Sequence, residues 1–553
     1  MRRLTAAVAA LAVAALLVGC APARPGGTVD VQVLAVNDFH GHLEPASGAA
    51  GEVEGTAAGG VEYLATHIRA RKATNPNTVV VSAGDLIGAS PLLSALFHDE
   101  PTIEAMNTLG LDLGAVGNHE FDEGADELRR MRGGGCHPTD GCAKFGFLAA
   151  NVIDRETGET LFPPYAVRDF NGVKVAFVGM TLEATPTMVT PRGVAGLEFR
   201  DEADTVNALV PELQQQGVEA IVVLLHEGGA TPGGFNECPG ISGPIVDIVG
   251  RMSDAVDVVV SGHTHQAYNC RLDGKLVTSA GAFGRLVTAI ELTVDRARRD
   301  VVSARAANRI VTRDVDRAAD LRNLIARYAE LAIPVANRVI GTITTDLTRA
   351  DNTAGESALG TLLADAQLSA TAGPGAGGAV VAFINPGGIR ADLTVAPSGS
   401  EAPGEVTYGE AFAVQPFGNN LVTLTLTGAQ IDALLEQQWC GQPSPRVLHA
   451  SHGLSYAWNA SRPPCEDRVD ASTITIGGVP VDPASRYRVT VNSFLADGGD
   501  NFTVLAEGTD RLVGALDLDA LEAYLSTPLA DRQLLQGAAF FAPERRADLP
   551  LAG

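Results

Sequence analysis

The chain has 553 residues, of which 46% are hydrophobic and 19% charged, an ordinary globular composition at a length that one core does not serve, so two domains are expected. Its formal net charge of -25 excludes an extended surface for nucleic-acid polymers or anionic membranes, which the mean field would repel. A small phosphorylated substrate stays compatible, because bound metal ions reverse the sign locally.

In chain order, Met1-Arg2-Arg3 and the Ala/Val/Leu run to Val18 have the charged and apolar regions of an export signal, over residues 1–20. Leu17-Val18-Gly19-Cys20 looks like a bacterial lipobox, whose cleavage leaves a lipid on Cys20; an ordinary signal peptide with an incidental cysteine is the alternative, and either exports the chain. Membrane contact is then expected only through that lipid, on the outer face of the cell membrane, or the protein is secreted if not lipidated. A Pro/Gly/Ala-rich tether occupies residues 21–29. The six remaining cysteines, Cys136, Cys142, Cys238, Cys270, Cys440 and Cys465, form an even set in a compartment where disulfides persist, and nearest neighbours are expected to pair. No C-x-x-C spacing supports a cysteine zinc site.

Short β-branched runs read as buried strands at Val31–Val36, Thr78–Ser82, Leu111–Val116, Val173–Val178, Ala220–Leu225 and Val256–Val260. Helix-like stretches from Tyr63 to Lys72 and from Asp204 to Gln216 lie between them, which predicts an α/β layer architecture. Leu321, Leu324, Ile325, Tyr328 and Leu331 recur at helical spacing, predicting a connecting helix within residues 315–337 that Pro334 ends. A first domain is thus read over 30–314, and a second α/β domain over 338–545.

Polar clusters follow the apolar runs. Asp38 and His40 follow the first, Asp85 the second, Asn118, His119 and Asp122 the third, His226 the fifth, and His263 and His265 the sixth. Loops at the carboxyl ends of strands gather ligands in α/β sheets, so these five loops are expected to converge. In D-x-H and H-x-H, residues two apart in an extended segment project to one side, which suits ligands of one metal cluster. Carboxylates, imidazoles and an asparagine amide together favour zinc, manganese or iron over magnesium or calcium. Two such ions, roughly 3.5–4 Å apart, would activate a hydroxide and clamp phosphoryl oxygens during in-line attack. His67, His98, His137, His449 and His452 lie outside the clusters and are read as structural or solvent-facing, and His42 is left out of the ligand set.

The ordered series NDFHGH, SAGD, GNHEFD, LLHEGG and SGHTH resembles the calcineurin-like metallophosphoesterases, specifically the 5′-nucleotidase family. The resemblance implies a four-layer α/β/β/α first domain. It assigns one metal to Asp38, His40, Asp85 and His265 and the other to Asp85, Asn118, His226 and His263. It makes His119 the non-ligand catalytic histidine, oriented by Asp122. It continues through Asn385-Pro-Gly-Gly-Ile-Arg390, Gln415-Pro-Phe-Gly-Asn419 and Phe494-Leu-Ala-Asp-Gly-Gly-Asp500. There it implies that Phe417 and Phe494 sandwich the base, Arg390 holds phosphate, Asn385, Gly388 and Asn419 contact the base or nearby groups, and Asp500 binds ribose hydroxyls. Some relatives carry an arginine where this chain has Gly355, and Arg349 in the preceding loop is the candidate substitute.

The activity so implied is hydrolysis of nucleoside 5′-monophosphates with two divalent ions, zinc or manganese. A 2′,3′-cyclic-nucleotide phosphodiesterase or UDP-sugar hydrolase is the alternative within the class, and a sulfur-ester hydrolase a more distant one. A lipoprotein that merely binds nucleotides has no use for His119 and Asp122.

Overall fold

The structure is a computed structural model that describes residues 27–46, 48–133, 136, 142–189 and 193–527; the export signal, Cys20, His137 and residues 528–545 of the expected second domain lie outside the described residues. In the first domain the strands that matter are β1 (Thr28–Val36), β2 (Thr78–Ser82), β3 (Leu113–Ala115), β4 (Gly146–Leu148), β5 (Tyr165–Phe170), β6 (Val173–Thr181), β7 (Ala220–His226), β8 (Val258–Ser261), β9 (Ala267–Leu272), β10 (Lys275–Ala280), β11 (Leu286–Asp295) and β12 (Val301–Ile310). They form two six-stranded sheets, ordered β12-β11-β1-β2-β3-β4 and β9-β10-β8-β7-β6-β5. Strands β1 to β4 run parallel, as do β6, β7, β8 and β10, while the other pairings are antiparallel.

The continuous apolar runs follow from burial on both faces. Val31, Val33 and Ala35 of β1, with Val222 and Leu224 of β7, belong to a core shared by both sheets. The alternate residues Leu34 and Val36 pack instead with helices α1 (Val61–Lys72), α2 (Glu100–Leu109) and part of the connecting helix. On the second sheet Ile221, Val223 and Leu225 pack with α3 (Glu202–Gln215) and α4 (Pro244–Arg251). Helix, sheet, sheet, helix is therefore the observed layering. Truncating a side chain such as Leu224 to alanine costs about 2–5 kcal/mol, because the cavity left in so dense an interior does not fully collapse.

The connecting helix α5 spans Ala319–Ala336 and runs through Pro334, so the expected stop there is wrong. Proline removes one donor and clashes with the carbonyl four residues earlier, that of Glu330. Glu330 is exposed, so water can meet the carbonyl that Pro334 leaves without its helical donor.

The second domain contains α6 (Ala358–Thr371), α7 (Gly428–Glu436) and α8 (Asp517–Ser526), around strands β13 (Val381–Ile384), β14 (Asn420–Thr427), β15 (His449–Ala450), β16 (Arg486–Asn492) and β17 (Thr509–Leu516). The sheet order is β15-β13-β16-β14-β17. α7 packs in one core of this sheet, and α6 and α8 in the other. The cysteines pair as nearest neighbours, Cys136–Cys142, Cys238–Cys270 and Cys440–Cys465.

Candidate active site

The five expected loops do converge, from both sheets: those after β1, β2 and β3 on one, and the end of β7 with the loop after β8 on the other. Ligand atoms of Asp38, His40 and His265 lie within 4.8 Å of one another, and so do those of Asp85, His226 and His263. The route by which they converge differs from the extended D-x-H and H-x-H reading. Asp38, His40, Asp85, His263 and His265 have φ of 47°, 46°, 51°, 68° and 55°, in the left-handed region. Each such residue costs on the order of 1–3 kcal/mol and persists only where surrounding contacts fix it. Those contacts are present: Asp38 N–H donates to Gly84 O at 3.0 Å, His40 N–H to Asp85 O at 3.0 Å, and His263 N–H to both carboxylate oxygens of Asp38 at 2.9 and 3.0 Å.

The donor set fits divalent ions. His40 Nε2 faces His265 Nε2 at 3.1 Å, and His226 Nε2 and His263 Nδ1 each lie 3.1 Å from Asn118 Oδ1. Asp85 Oδ2 is 3.0 Å from His226 Nε2 and 3.6 Å from His40 Nε2, between the two groups, and His265 Nε2 is 3.6 Å from Asp38 Oδ1. Such spacings match the edges of a coordination polyhedron with bonds of roughly 2.0–2.2 Å. The far nitrogens of two imidazoles are anchored, His40 Nδ1 to Gly88 O at 2.8 Å and His226 Nδ1 to Ala83 O at 2.7 Å, which aims their Nε2 lone pairs inward. Burial pushes His40 and His265 well below the ordinary histidine range and His263 down to about 3, keeping them in the neutral form that ligates. Burial also lowers His226, but the Asp85 carboxylate outweighs it and lifts the group to about 10, a proton that a cation would displace.

His119 stands beside this cluster, its Nδ1 2.9 Å from Asp122 Oδ2. Burial lowers its pKa, and the Asp122 and Asp85 carboxylates more than compensate, so the net shift is upward. A cavity of about 310 Å³ opens from the cluster, lined by Asn118, His119, Asp122 and His263 and by all seven expected residues of the second domain: Asn385, Gly388, Arg390, Phe417, Asn419, Phe494 and Asp500. Phe494 lies against Gly499, where a Cβ would come within 2.5 Å of the ring, so only glycine lets the phenyl settle there. Arg349 is not among the lining residues; it pairs with Asp392 at 3.1 Å, and its charge acts on Arg390. His42 stacks on Phe283 at 4.0 Å, in keeping with its omission from the ligand set.

Three residues escaped the sequence reading. Glu120 accepts the N–H groups of Asp85, Leu86 and Gly117 at 2.9, 2.7 and 2.6 Å, tying the β2 and β3 loops together. Its place inside GNHEFD was the available signal. Asn37 donates to Asp38 Oδ2 and to Gly281 O, both at 2.6 Å, and accepts from Ala280 N–H at 2.8 Å. Arg446 lines the cavity from a Pro/Ser-rich loop that carries no local signal.

Comparison with known proteins decides the family. Residues 31–267 match the calcineurin-like phosphoesterase model, and residues 339–507 match that of the 5′-nucleotidase C-terminal domain. The chain belongs to the 5′-nucleotidase family. Similar proteins include the endonuclease YhcR of Bacillus subtilis, 31% identical over 91% of this chain, and the cell wall protein Lmo0130 of Listeria monocytogenes, 33% identical over 89% of it. The chain spans 40% and 66% of the lengths of these two relatives. Among solved structures, a 5′-nucleotidase precursor of Thermus thermophilus superposes with a TM-score of 0.74 at 29% identity, covering 90% of this chain and 96% of that one.

Proposed function

We propose that the chain is an exported two-metal nucleotidase that hydrolyses nucleoside 5′-monophosphates to nucleoside and phosphate. One observation carries this reading: a single cavity runs from Asn118 and His263 of the metal cluster, past His119, to Arg390, Phe417, Phe494 and Asp500 of the other domain. Zinc or manganese would be held by Asp38, His40, Asp85 and His265 and by Asp85, Asn118, His226 and His263, and when bound would supply Lewis acidity and an acidified water.

The chain's own groups do the rest. Arg390 binds the phosphoryl oxygens with its planar fork. His119, its Nδ1 held by Asp122, presents the other nitrogen to the leaving oxygen and hands it a proton. Phe417 and Phe494 stack on the base, Asn385, Gly388 and Asn419 contact it or its neighbours, and Asp500 accepts from ribose hydroxyls. This substrate-specific end separates a nucleotidase from a general phosphatase, and the His119–Asp122 pair separates it from a nucleotide-binding lipoprotein.

The deciding experiment is phosphate release from AMP, 2′,3′-cyclic AMP, UDP-glucose and p-nitrophenyl phosphate, with manganese and with zinc. The similarity to a protein named an endonuclease adds a single-stranded oligonucleotide to the panel. AMP should lead. A lead for the cyclic nucleotide, the nucleotide sugar or the oligonucleotide would move the assignment to that substrate, and no turnover of any would remove it.

Export rests on the signal and the lipobox-like Leu17–Cys20, and the similarity to a cell wall protein supports it. Among the described residues no helix is long and apolar enough to cross a membrane. Mass spectrometry of the mature N-terminus should find a lipid-modified Cys20; an unmodified residue there removes the lipid and leaves export standing.

A further inference from the structure

Asp500 is held from three directions. It is 7% exposed, and it and Asn501 have φ of 54° and 62°, a backbone conformation that needs outside support. Its Oδ2 accepts from Asn385 Nδ2 at 2.7 Å, its Oδ1 accepts from the Arg446 guanidinium, and its backbone carbonyl accepts from Gln442 Nε2 at 2.8 Å. Two of the three contacts come from one loop.

That loop is fixed at its base. Gln438, fully buried, accepts Arg446 N–H on its backbone oxygen and Leu448 N–H on its side-chain oxygen, both at 2.8 Å, and Cys440 is tied to Cys465. Facing it, Gly355 has φ +86°, and a Cβ there would come within 2.8 Å of Val447 Cγ2. The space beside Gly355 is therefore filled by the neighbour of Arg446, and the 442–448 segment brings a second guanidinium to the cavity besides that of Arg390.

We infer that Arg446 is a positioning residue that orients the Asp500 carboxyl group toward the substrate's sugar hydroxyls. The inference rests on the nucleotidase reading above. A carboxylate recognises a diol as an acceptor, so it must be both ionised and aimed. Burial raises the Asp500 carboxyl above its ordinary value, and Arg446 first, then Asn385 and Arg390, limit that rise. The resulting pair is close to neutral, so it reads hydroxyls without repelling the nearby phosphate, which Arg390 is left to bind. A charge-assisted contact from a planar guanidinium to one carboxylate oxygen fixes direction as well as charge, which lysine reproduces only in part.

The test uses the metal-loaded full-length enzyme with AMP, 2′-deoxy-AMP, 2′,3′-dideoxy-AMP and p-nitrophenyl phosphate, comparing wild type, Arg446→Met and Arg446→Lys. Wild type should lose affinity stepwise, its KM rising as hydroxyls are removed. Arg446→Met should raise KM for AMP by about 10-fold with kcat nearly constant, and flatten the series, because the acceptor it positions no longer distinguishes the sugars. Arg446→Lys should restore part of the discrimination, a recovery that a packing role does not produce. Unchanged sugar discrimination in Arg446→Met overturns the inference and leaves the nucleotidase reading intact. So does equal loss on p-nitrophenyl phosphate together with a lowered melting temperature in both variants, which marks a structural residue. A wild type that turns over p-nitrophenyl phosphate as well as AMP removes the nucleotidase reading, and this inference with it.

Discussion

His119 and Phe417 stack across the domain boundary, ring centroids 5.8 Å apart and planes inclined by 19°. The Arg390 guanidinium carbon lies 5.8 Å from the centre of the same phenyl ring. The ring proposed to carry the base thus borders both the imidazole proposed to serve the leaving oxygen and the cation proposed to hold phosphate. A site assembled this way requires both domains for nucleotide turnover, while the metal cluster belongs to the first domain alone.

That division separates two variants. Asp85→Ala removes the carboxylate between the two metal groups and should abolish activity with loss of one or both ions. His119→Ala should keep both ions and lose about 10²- to 10³-fold in kcat, the scale of one transition-state donor. Metal analysis beside turnover decides it: metal loss in the histidine variant with metal retained in the aspartate variant would reverse the two roles.

Glu120 offers a separate handle, because it touches no proposed ligand atom yet pins the loops that carry Asp85 and Asn118. Glu120→Gln keeps one acceptor and substitutes an amide for the other, so part of this three-donor clamp fails. Metal affinity should fall by about 10- to 100-fold, the usual range for losing a group that supports ligands from behind. Competition with a chelator measures this directly. Full activity at saturating metal with weakened affinity is the expected pattern, and unchanged affinity would show the clamp to be redundant.

The sequence made the ligands legible through residue type, since few structural needs place Asp, His and Asn after successive apolar runs. It made the strands legible because both faces are buried, so Val222 and Val223 are equally apolar although they enter different cores. What it hid was conformation and long-range partnership. Nothing local to Asp38-Phe39-His40 announces left-handed φ, which is imposed by Gly84 O and Asp85 O from another loop. Arg446 and Asp500 lie 54 positions apart and meet only because α7 and β16 belong to one domain. Pro334 misled because solvent at the exposed Glu330 offsets the lost hydrogen bond, and the helix ends within one turn of the proline.

Asp257 predicts a pH-dependent cost to stability away from the active site. Burial, with a smaller push from Asp300, raises its carboxyl to about 7, although its Oδ2 accepts from Ile221 N–H at 2.9 Å. The folded state therefore keeps a proton that the unfolded state releases above an ordinary pKa of about 4. The stabilisation is present below that value and is lost as pH rises toward 7. Asp257→Asn keeps the acceptor and has no proton to lose. Its melting temperature relative to wild type should rise between pH 4 and pH 8 in matched buffers; a difference independent of pH would contradict the raised carboxyl.

The nucleotide itself is tested at Phe494, which reaches the cavity from the second domain, 77 residues beyond Phe417 in sequence. If the two rings stack on the base, Phe494→Ala should raise KM for AMP by about 10-fold, since roughly 1–3 kcal/mol of stacking corresponds to about 5- to 150-fold. An aryl phosphate too small to fill the clamp should be hydrolysed almost as before, because the metal groups, His119 and Arg390 are untouched. Packing alone predicts otherwise. Phe494 abuts the second domain's core and leans on Gly499, and truncating a structural phenylalanine costs about 3–5 kcal/mol of fold stability. That loss would lower the melting temperature and depress both substrates together. Selective loss on AMP with an unchanged melting temperature assigns Phe494 to the base, whereas equal loss on both substrates sinks the clamp and leaves a phosphoesterase whose substrate must be sought elsewhere.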